Sequence, residues 1–174
     1  MLVRTWRFIT ITLVALSMGM AWCHALELPA KMGYDSSLWV TLHQTLYVAF
    51  GPPNIGAFVE VGALLAAIVL TFLVRKRRTA FRFTLLGTIC LVIAFPVIFF
   101  AFTEPVNAQV RQWTVDTIPA DWMRWRDQWE YSHAARFVFQ LIGFCALLLS
   151  VLVETPKNRP LIKAPTERQR EGVA

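Results

Sequence analysis

The stretch from Pro119 to Val153, PADWMRWRDQWEYSHAARFVFQLIGFCALLLSVLV, decides the fold. Its first half is polar and rich in tryptophan, whereas Phe137 to Val153 carries no charged side chain. Such a switch within one helix-compatible run predicts a single helix that begins in water and ends in lipid. Trp122, Trp125, Trp129, His133, Arg136 and Gln140 fall at i, i+3, i+7, i+11, i+14 and i+18. Helical periodicity lays them along one stripe. Tryptophan favours the headgroup level, and the stripe carries a histidine and an arginine to that level or just below it.

The rest of the chain agrees. Its 174 residues are 56% hydrophobic and only 16% charged, with a mean hydropathy of +0.51. A soluble domain has about a quarter of its residues charged. The net charge of +6 does not argue for nucleic acid, because the basic residues sit at the ends of apolar runs and form no separate basic domain. Cys23, Cys90 and Cys145 lie in or beside apolar runs without CxxC spacing, so neither a disulfide nor a thiolate metal site is predicted.

Four spans are predicted, at residues 8–26, 56–74, 81–102 and 134–153. For the first, two readings stand. One is a secretory signal ending near Cys23-His24-Ala25; the other, favoured by the length of the run and by Leu26-Glu27-Leu28-Pro29 after it, is a retained span. Residues 27–55 read as a connection: a turn at 31–35, then a short external amphipathic helix over 36–50 capped by Ser36 or Ser37, stopped at Gly51-Pro52-Pro53-Asn54. Span two carries one carboxylate, Glu60, and a surface of Gly56, Ala57, Gly62, Ala63, Ala66 and Ala67 suited to close packing. Pro96 should kink span three. Residues 103–118 read as a second polar connection, and 154–174 as a polar cytoplasmic tail beyond a single domain of residues 1–153.

Charge sets the orientation. Arg4, Arg7, the run Arg75 to Arg78, Arg82, Lys157, Arg159, Lys163, Arg168 and Arg170 fall on one face; the other has Lys31, Arg111, Arg124, Arg126 and Arg136. The positive-inside rule then places both termini in the cytoplasm, with a bacterial inner membrane as the natural setting. His24, His43 and His133 and most of the acidic residues fall on the external half, so any chemistry is expected at the outer membrane–water boundary. The lipid bilayer is the predicted partner, and nucleic acid is not one.

Ionisable groups inside spans are costly and normally turn inward as pairs. Glu60 and Arg136 sit at similar depth and are predicted to pair, either to fix helix register or to position a substrate group. His24, His43 and His133, with Glu27, Glu60 and Glu104 nearby, form the one candidate layer for proton transfer or for a metal. No HxxxH spacing supports the metal, and the histidines are too shallow for a bis-histidine haem. No cofactor is predicted, and a metal on His24, His43, His133 and Glu27 stays open. The tryptophans form either an aromatic belt or the walls of a flat pocket.

Several of these pieces together resemble the anthrone oxygenase-like family of small four-helix membrane proteins, most of whose bacterial members are domains of unknown function. They are His24-Ala25-Leu26-Glu27-Leu28-Pro29, Asn54-Ile55-Gly56-Ala57-Phe58-Val59-Glu60, Glu104-Pro105-Val106-Asn107, and the run from Pro119-Ala120-Asp121-Trp122 through Trp129, His133 and Arg136. The resemblance covers residues 8–153 and implies a four-helix membrane bundle. In a few fungal members it implies oxidation of a polycyclic anthrone by O2 without a cofactor; it supplies no established catalytic residue.

Three functions remain in play. The first is a cofactor-independent oxygenase or related oxidoreductase of an aromatic, membrane-soluble substrate. There His133 or His24 would be the base, Arg136 and Asn107 would stabilise an enolate oxygen beside Glu60, and Trp22, Trp122, Trp125 and Trp129 would hold the ring. The second is a non-catalytic subunit or small-molecule binding or transport accessory. The third is a metal-dependent membrane enzyme.

Overall fold

The structure is a computed structural model and describes residues 1–155. Every regular element among them is helical: α1 (Leu2–Lys31), α2 (Ser36–Thr45), α3 (Ile55–Val74), α4 (Arg78–Val92), α5 (Glu104–Val110) and α6 (Trp122–Leu152). A π-helical segment, Ile93–Thr103, joins α4 to α5 into one rod, and short 3-10 turns cover Tyr47–Phe50 and Val115–Thr117. Four rods, Leu2–Lys31, Tyr47–Val74, Arg78–Val110 and Trp122–Leu152, are long and apolar enough to cross a membrane. They pack in a ring in which α1 touches α3 and α6, and α4 touches the same two helices. Phe8, Leu16, Phe58, Leu65, Phe72, Phe100, Val138 and Leu152 are all exposed on the outside. So much outward apolar surface fits lipid and would be a liability in water.

The rods outrun the spans read from hydropathy. α1 continues five residues past the predicted end at residue 26, and residues 104–110, expected in a connection, remain helical. Apolar composition marks only the part of a helix that lipid touches, whereas backbone hydrogen bonding carries the helix on into polar sequence. The first connection is also two pieces, α2 and a 3-10 turn, rather than one helix over 36–50. Its cap is Asp35, whose carboxylate accepts from the Leu38 backbone N–H at 2.8 Å, and not Ser36 or Ser37; that bond holds the Asp35 carboxyl below the usual range. Pro96 is accommodated by the widened π-helical turns around it, which spare its ring the clash with the preceding carbonyl. The predicted tail lies, from residue 156 onward, outside the described residues.

Small residues let the backbones meet. An added Cβ at Gly87 on α4 would lie 2.9 Å from Leu147 Cγ and 3.0 Å from the Gly143 carbonyl on α6. One on Gly56 would overlap the backbone of Phe50, so only glycine lets the 3-10 turn fold back over the start of α3. Ala63, Ala66 and Ala67 of α3 are buried inside the bundle, so that small-residue face is used internally. Buried hydroxyls are satisfied locally: Thr10 donates to the Ala66 carbonyl at 3.2 Å, and Thr71 and Thr88 bond at 2.8 Å.

The two ends differ. At one, Arg7 and Arg77 both bind Glu154, at 2.8 and 2.7 Å, so the start of α1, the α3–α4 turn and the end of α6 share an end. Above it Val14, Ala63, Ala67, Leu70, Val74, Leu91 and Leu147 form a close-packed apolar plug. At the other, Trp39, Val40, Tyr47, Val106, Val110 and Trp129 form a second core under α2. The candidate site lies between the two cores.

Candidate functional site

A chamber of about 350 Å3 opens at the α2 end of the bundle. Its rim includes the exposed residues Gln44, Val48, Pro52 and Arg111. His24 of α1, Glu60 of α3, Asn107 of α5, and His133 and Arg136 of α6 all line it, and His43 of α2 joins them from above. Four rods thus contribute polar groups to one hollow. The helical stripe explains why α6 supplies two of them: Trp129, His133, Arg136 and Gln140 share a buried face.

The deep end holds the ion pair. Glu60 Oε1 accepts from Arg136 Nη2 and, at 3.0 Å, from Gln140 Nε2. Arg136 Nε donates to the Ala94 carbonyl at 3.1 Å, inside the π-helical segment, and its guanidinium lies 5.2 Å from the Phe99 ring centre. Two of the three guanidinium nitrogens are therefore fixed. A side cavity of about 30 Å3, lined by Ser17, Gln140 and Glu60 among others, sits beside this pair; Gln140 Oε1 is buried there without a partner. It is polar and has room for one water.

At mid-depth the His24 and His133 rings stack, with centres 4.1 Å apart and planes at 26°. Trp129 packs edge-on against both, at 5.0 and 4.2 Å, and Tyr47 lies 4.8 Å from His24. Unlike those of His24 and His43, the ring nitrogens of His133 are hydrogen-bonded to no other described residue.

Nearer the mouth, Asn107 is a junction. Its Oδ1 accepts from Trp129 Nε1 at 2.9 Å and from His43 Nε2 at 3.2 Å, while its Nδ2 donates to Glu104 at 3.1 Å. Glu104 in turn binds Arg111 at 2.6 Å. Both acceptor positions of the Asn107 oxygen are occupied, so Asn107 holds the wall together with at most one N–H left for a ligand. Burial pushes the His43 imidazole down to about 4, with Arg111 and Lys31 acting in the same direction and the Asn107 bond and Glu104 against it. His43 is thus a neutral donor to Asn107 at physiological pH.

The sequence-selected aromatics divide. Trp129 lines the chamber, as does Trp113, but Trp22, Trp122 and Trp125 do not. Trp22 faces outward against Phe137, with ring centres 4.7 Å apart. Trp122 packs toward Trp39, and Trp125 toward Trp113. The first turns of α6 pack against Trp39 of α2 and against Trp113, so the upper part of the stripe meets these neighbours instead of the hollow. Of the metal candidates, Glu27 lies behind the wall, accepting from Tyr47 Oη at 2.7 Å. Among the described residues no three His, Cys, Asp or Glu side chains are placed to hold a metal ion.

Two residues behind the wall escaped the sequence reading. Lys31 and Glu130 are each only 1% exposed and pair at 2.8 Å, with Trp39 Nε1 donating to Glu130 Oε1 at 3.1 Å. Lys31 Nζ lies 4.9 Å from the ring centres of both Tyr47 and Trp129, and 3.4 Å from His24 Nδ1. The available signal was spacing. Lys31 follows His24 by two helical turns on one face, and Glu130 precedes His133 by almost one.

Comparison of the chain with protein-family models, curated proteins and solved structures gives no match.

Proposed function

We propose that this integral membrane protein is an oxidoreductase that deprotonates an aromatic, membrane-soluble substrate and lets the resulting enolate react with O2 without a resident cofactor. The observation that carries the reading is a chamber closed below by an apolar plug, with an unpartnered imidazole, His133, between aromatic walls and an arginine. A base without a competing partner can take an acidic C–H proton. The remaining N–H edge of Arg136 can stabilise the enolate oxygen in a site shielded from bulk water. The substrate is its own reductant. A ring CH2 loses a proton to His133, the carbanion adds O2 to give a hydroperoxide, and loss of water leaves a ketone, so one oxygen atom enters the product and one leaves as water.

The resemblance of the His24–Pro29, Asn54–Glu60, Glu104–Asn107 and Pro119–Arg136 segments to the anthrone oxygenase-like family supports the same chemistry. The apolar plug argues against a transport path through the bundle. The basic residues 75–78, at the end where Arg7 and Arg77 meet Glu154, support cytoplasmic termini in a bacterial inner membrane, with the chamber facing outward.

Oxygen uptake by the purified protein in detergent tests the reading, with anthrone and other acidic-CH polycyclic ketones as probes. Wild type should consume O2 with at least one of them, and H133Q and H133A should abolish uptake while unfolding within a few degrees of wild type. Full activity in H133Q would remove His133 as the base. Saturable quenching of tryptophan fluorescence without O2 uptake would favour the binding-protein reading.

A further inference from the structure

The chamber holds two stacked imidazoles, and the groups behind the wall divide their roles. Lys31 sits on the last turn of α1 with its ammonium turned inward rather than out to water, although burying a charge is costly. Glu130 neutralises it at 2.8 Å, and Glu27 lies 3.6 Å away. An ammonium has three protons and no lone pair, so its 3.4 Å contact with His24 Nδ1 can only be a donation to that nitrogen. A neutral imidazole that accepts at Nδ1 carries its own proton at Nε2. The His24 ring lines the chamber, and Nδ1 is its one hydrogen-bonded ring nitrogen among the described residues. We infer that Lys31 is a positioning residue: it locks His24 as the Nε2–H tautomer, which makes His24 a hydrogen-bond donor to whatever fills the chamber.

His24 then cannot share the work of a base. Its one free lone pair is taken by Lys31, and a second ring proton would set an imidazolium beside an ammonium. His133, 4.1 Å away in the stack, has no such neighbour bonded to either nitrogen, and the nearby Arg136 is neutralised by Glu60. The stacked pair is therefore unequal, with one donor and one acceptor. The ligand class that matches is a planar ring bearing an acidic C–H or O–H next to a carbonyl or phenolic oxygen, with the proton facing His133 and the oxygen facing His24 and Arg136. The tautomer assignment stands on geometry alone; its catalytic meaning rests on the function proposed above.

Nitrogen NMR of full-length protein carrying 15N-histidine, in detergent micelles, reads the assignment without any substrate. His24 should show a protonated Nε2 and an unprotonated, hydrogen-bonded Nδ1 across about pH 5–8, the range in which a free imidazole titrates. K31R should keep that pattern. In K31M/E130Q, where both buried charges are removed and Gln can still accept from Trp39, His24 should become a mixture of tautomers. Nδ1–H in the wild type, or an unchanged tautomer in the double variant, would overturn the inference. If the double variant does not fold, wild type and K31R still decide it through the Nδ1 signal. Where turnover is measurable, H24Q keeps a donor and should lose about 10- to 100-fold in kcat, whereas H133Q should lose all of it; equal losses would overturn the division of labour. Failure of every substrate leaves the NMR result intact, so the two proposals fail separately.

Discussion

Replacing Glu60 by Gln removes a charge from the floor of the chamber and almost nothing else. The amide oxygen can still accept from Arg136 and from Gln140, so shape and hydrogen bonds persist while the guanidinium loses its counter-charge. Both side chains are buried, and two opposite charges about 4 Å apart at an effective dielectric of about 20 attract by about 4 kcal/mol. Removing one partner of a buried pair typically costs about 3–5 kcal/mol, because the other charge is stranded. For a chain of this size each kcal/mol shifts the midpoint by about 2–4 °C, so E60Q should unfold about 6–20 °C lower. R136M strands the carboxylate and should lose a similar amount. In E60Q/R136M neither charge remains, and the main residual loss is the bond to the Ala94 carbonyl, worth about 1 kcal/mol. The double variant should therefore be more stable than either single. Intrinsic tryptophan fluorescence during a thermal ramp in detergent measures all four proteins. Losses that simply add in the double variant would show that the pair is not coupled, and the account of the chamber floor would fall. If the cycle shows coupling, the double variant is a folded protein with an uncharged floor, and its loss of ligand affinity separates a substrate role from a purely structural one.

Two further outcomes follow from the packing and from the mouth of the chamber. G87A should loosen the α4–α6 contact by about 1–3 kcal/mol, since its Cβ would meet Leu147 Cγ at 2.9 Å and the Gly143 carbonyl at 3.0 Å; a thermal midpoint equal to wild type would refute the close approach. His43 is pushed down from 6.5 to about 4 in the folded protein, mainly by burial. Between those values the unfolded chain binds a proton that the native state refuses, so stability should fall as pH drops from about 6.5 to about 4, then level off. The difference between wild type and H43Q in denaturation against pH isolates this contribution, and a flat difference would refute it.

What was legible in the sequence was whatever local periodicity encodes. The stripe from Trp129 to Gln140 needs only helical geometry and the rule that charges in spans turn inward, and both Glu60 and Arg136 could be placed at matching depth by counting turns from the span ends. What was illegible depends on partners distant in sequence. Lys31 stands just after an apolar run, where a lysine ordinarily extends to the headgroups; only the approach of Glu130, on another rod, turns it inward. Trp122 and Trp125 share the stripe with Trp129, yet periodicity does not say which neighbour each side chain meets, and Trp39 and Trp113 take these two. Asp35, Ser36 and Ser37 are all competent caps, and their choice rests on backbone angles that composition does not reveal.

Pro96 shows how a local irregularity becomes part of the site. A proline within a membrane-crossing helix removes a backbone donor, and such breaks persist where neighbouring side chains or protein interior satisfy the backbone. Here the chain widens into π-helical turns, and the carbonyl of Ala94, two residues before the proline, accepts from Arg136 Nε. Glu60 takes Nη2 of the same guanidinium. An arginine held from two sides by different rods has little rotational freedom left, so its remaining N–H edge is aimed before any ligand arrives. Preorganisation of this kind is what makes a donor effective toward a developing oxyanion, because no reorientation is needed at the moment of reaction. The irregular helix, the carboxylate on α3 and the arginine on α6 are therefore one device, and the chamber depends on the bundle being closed around all three.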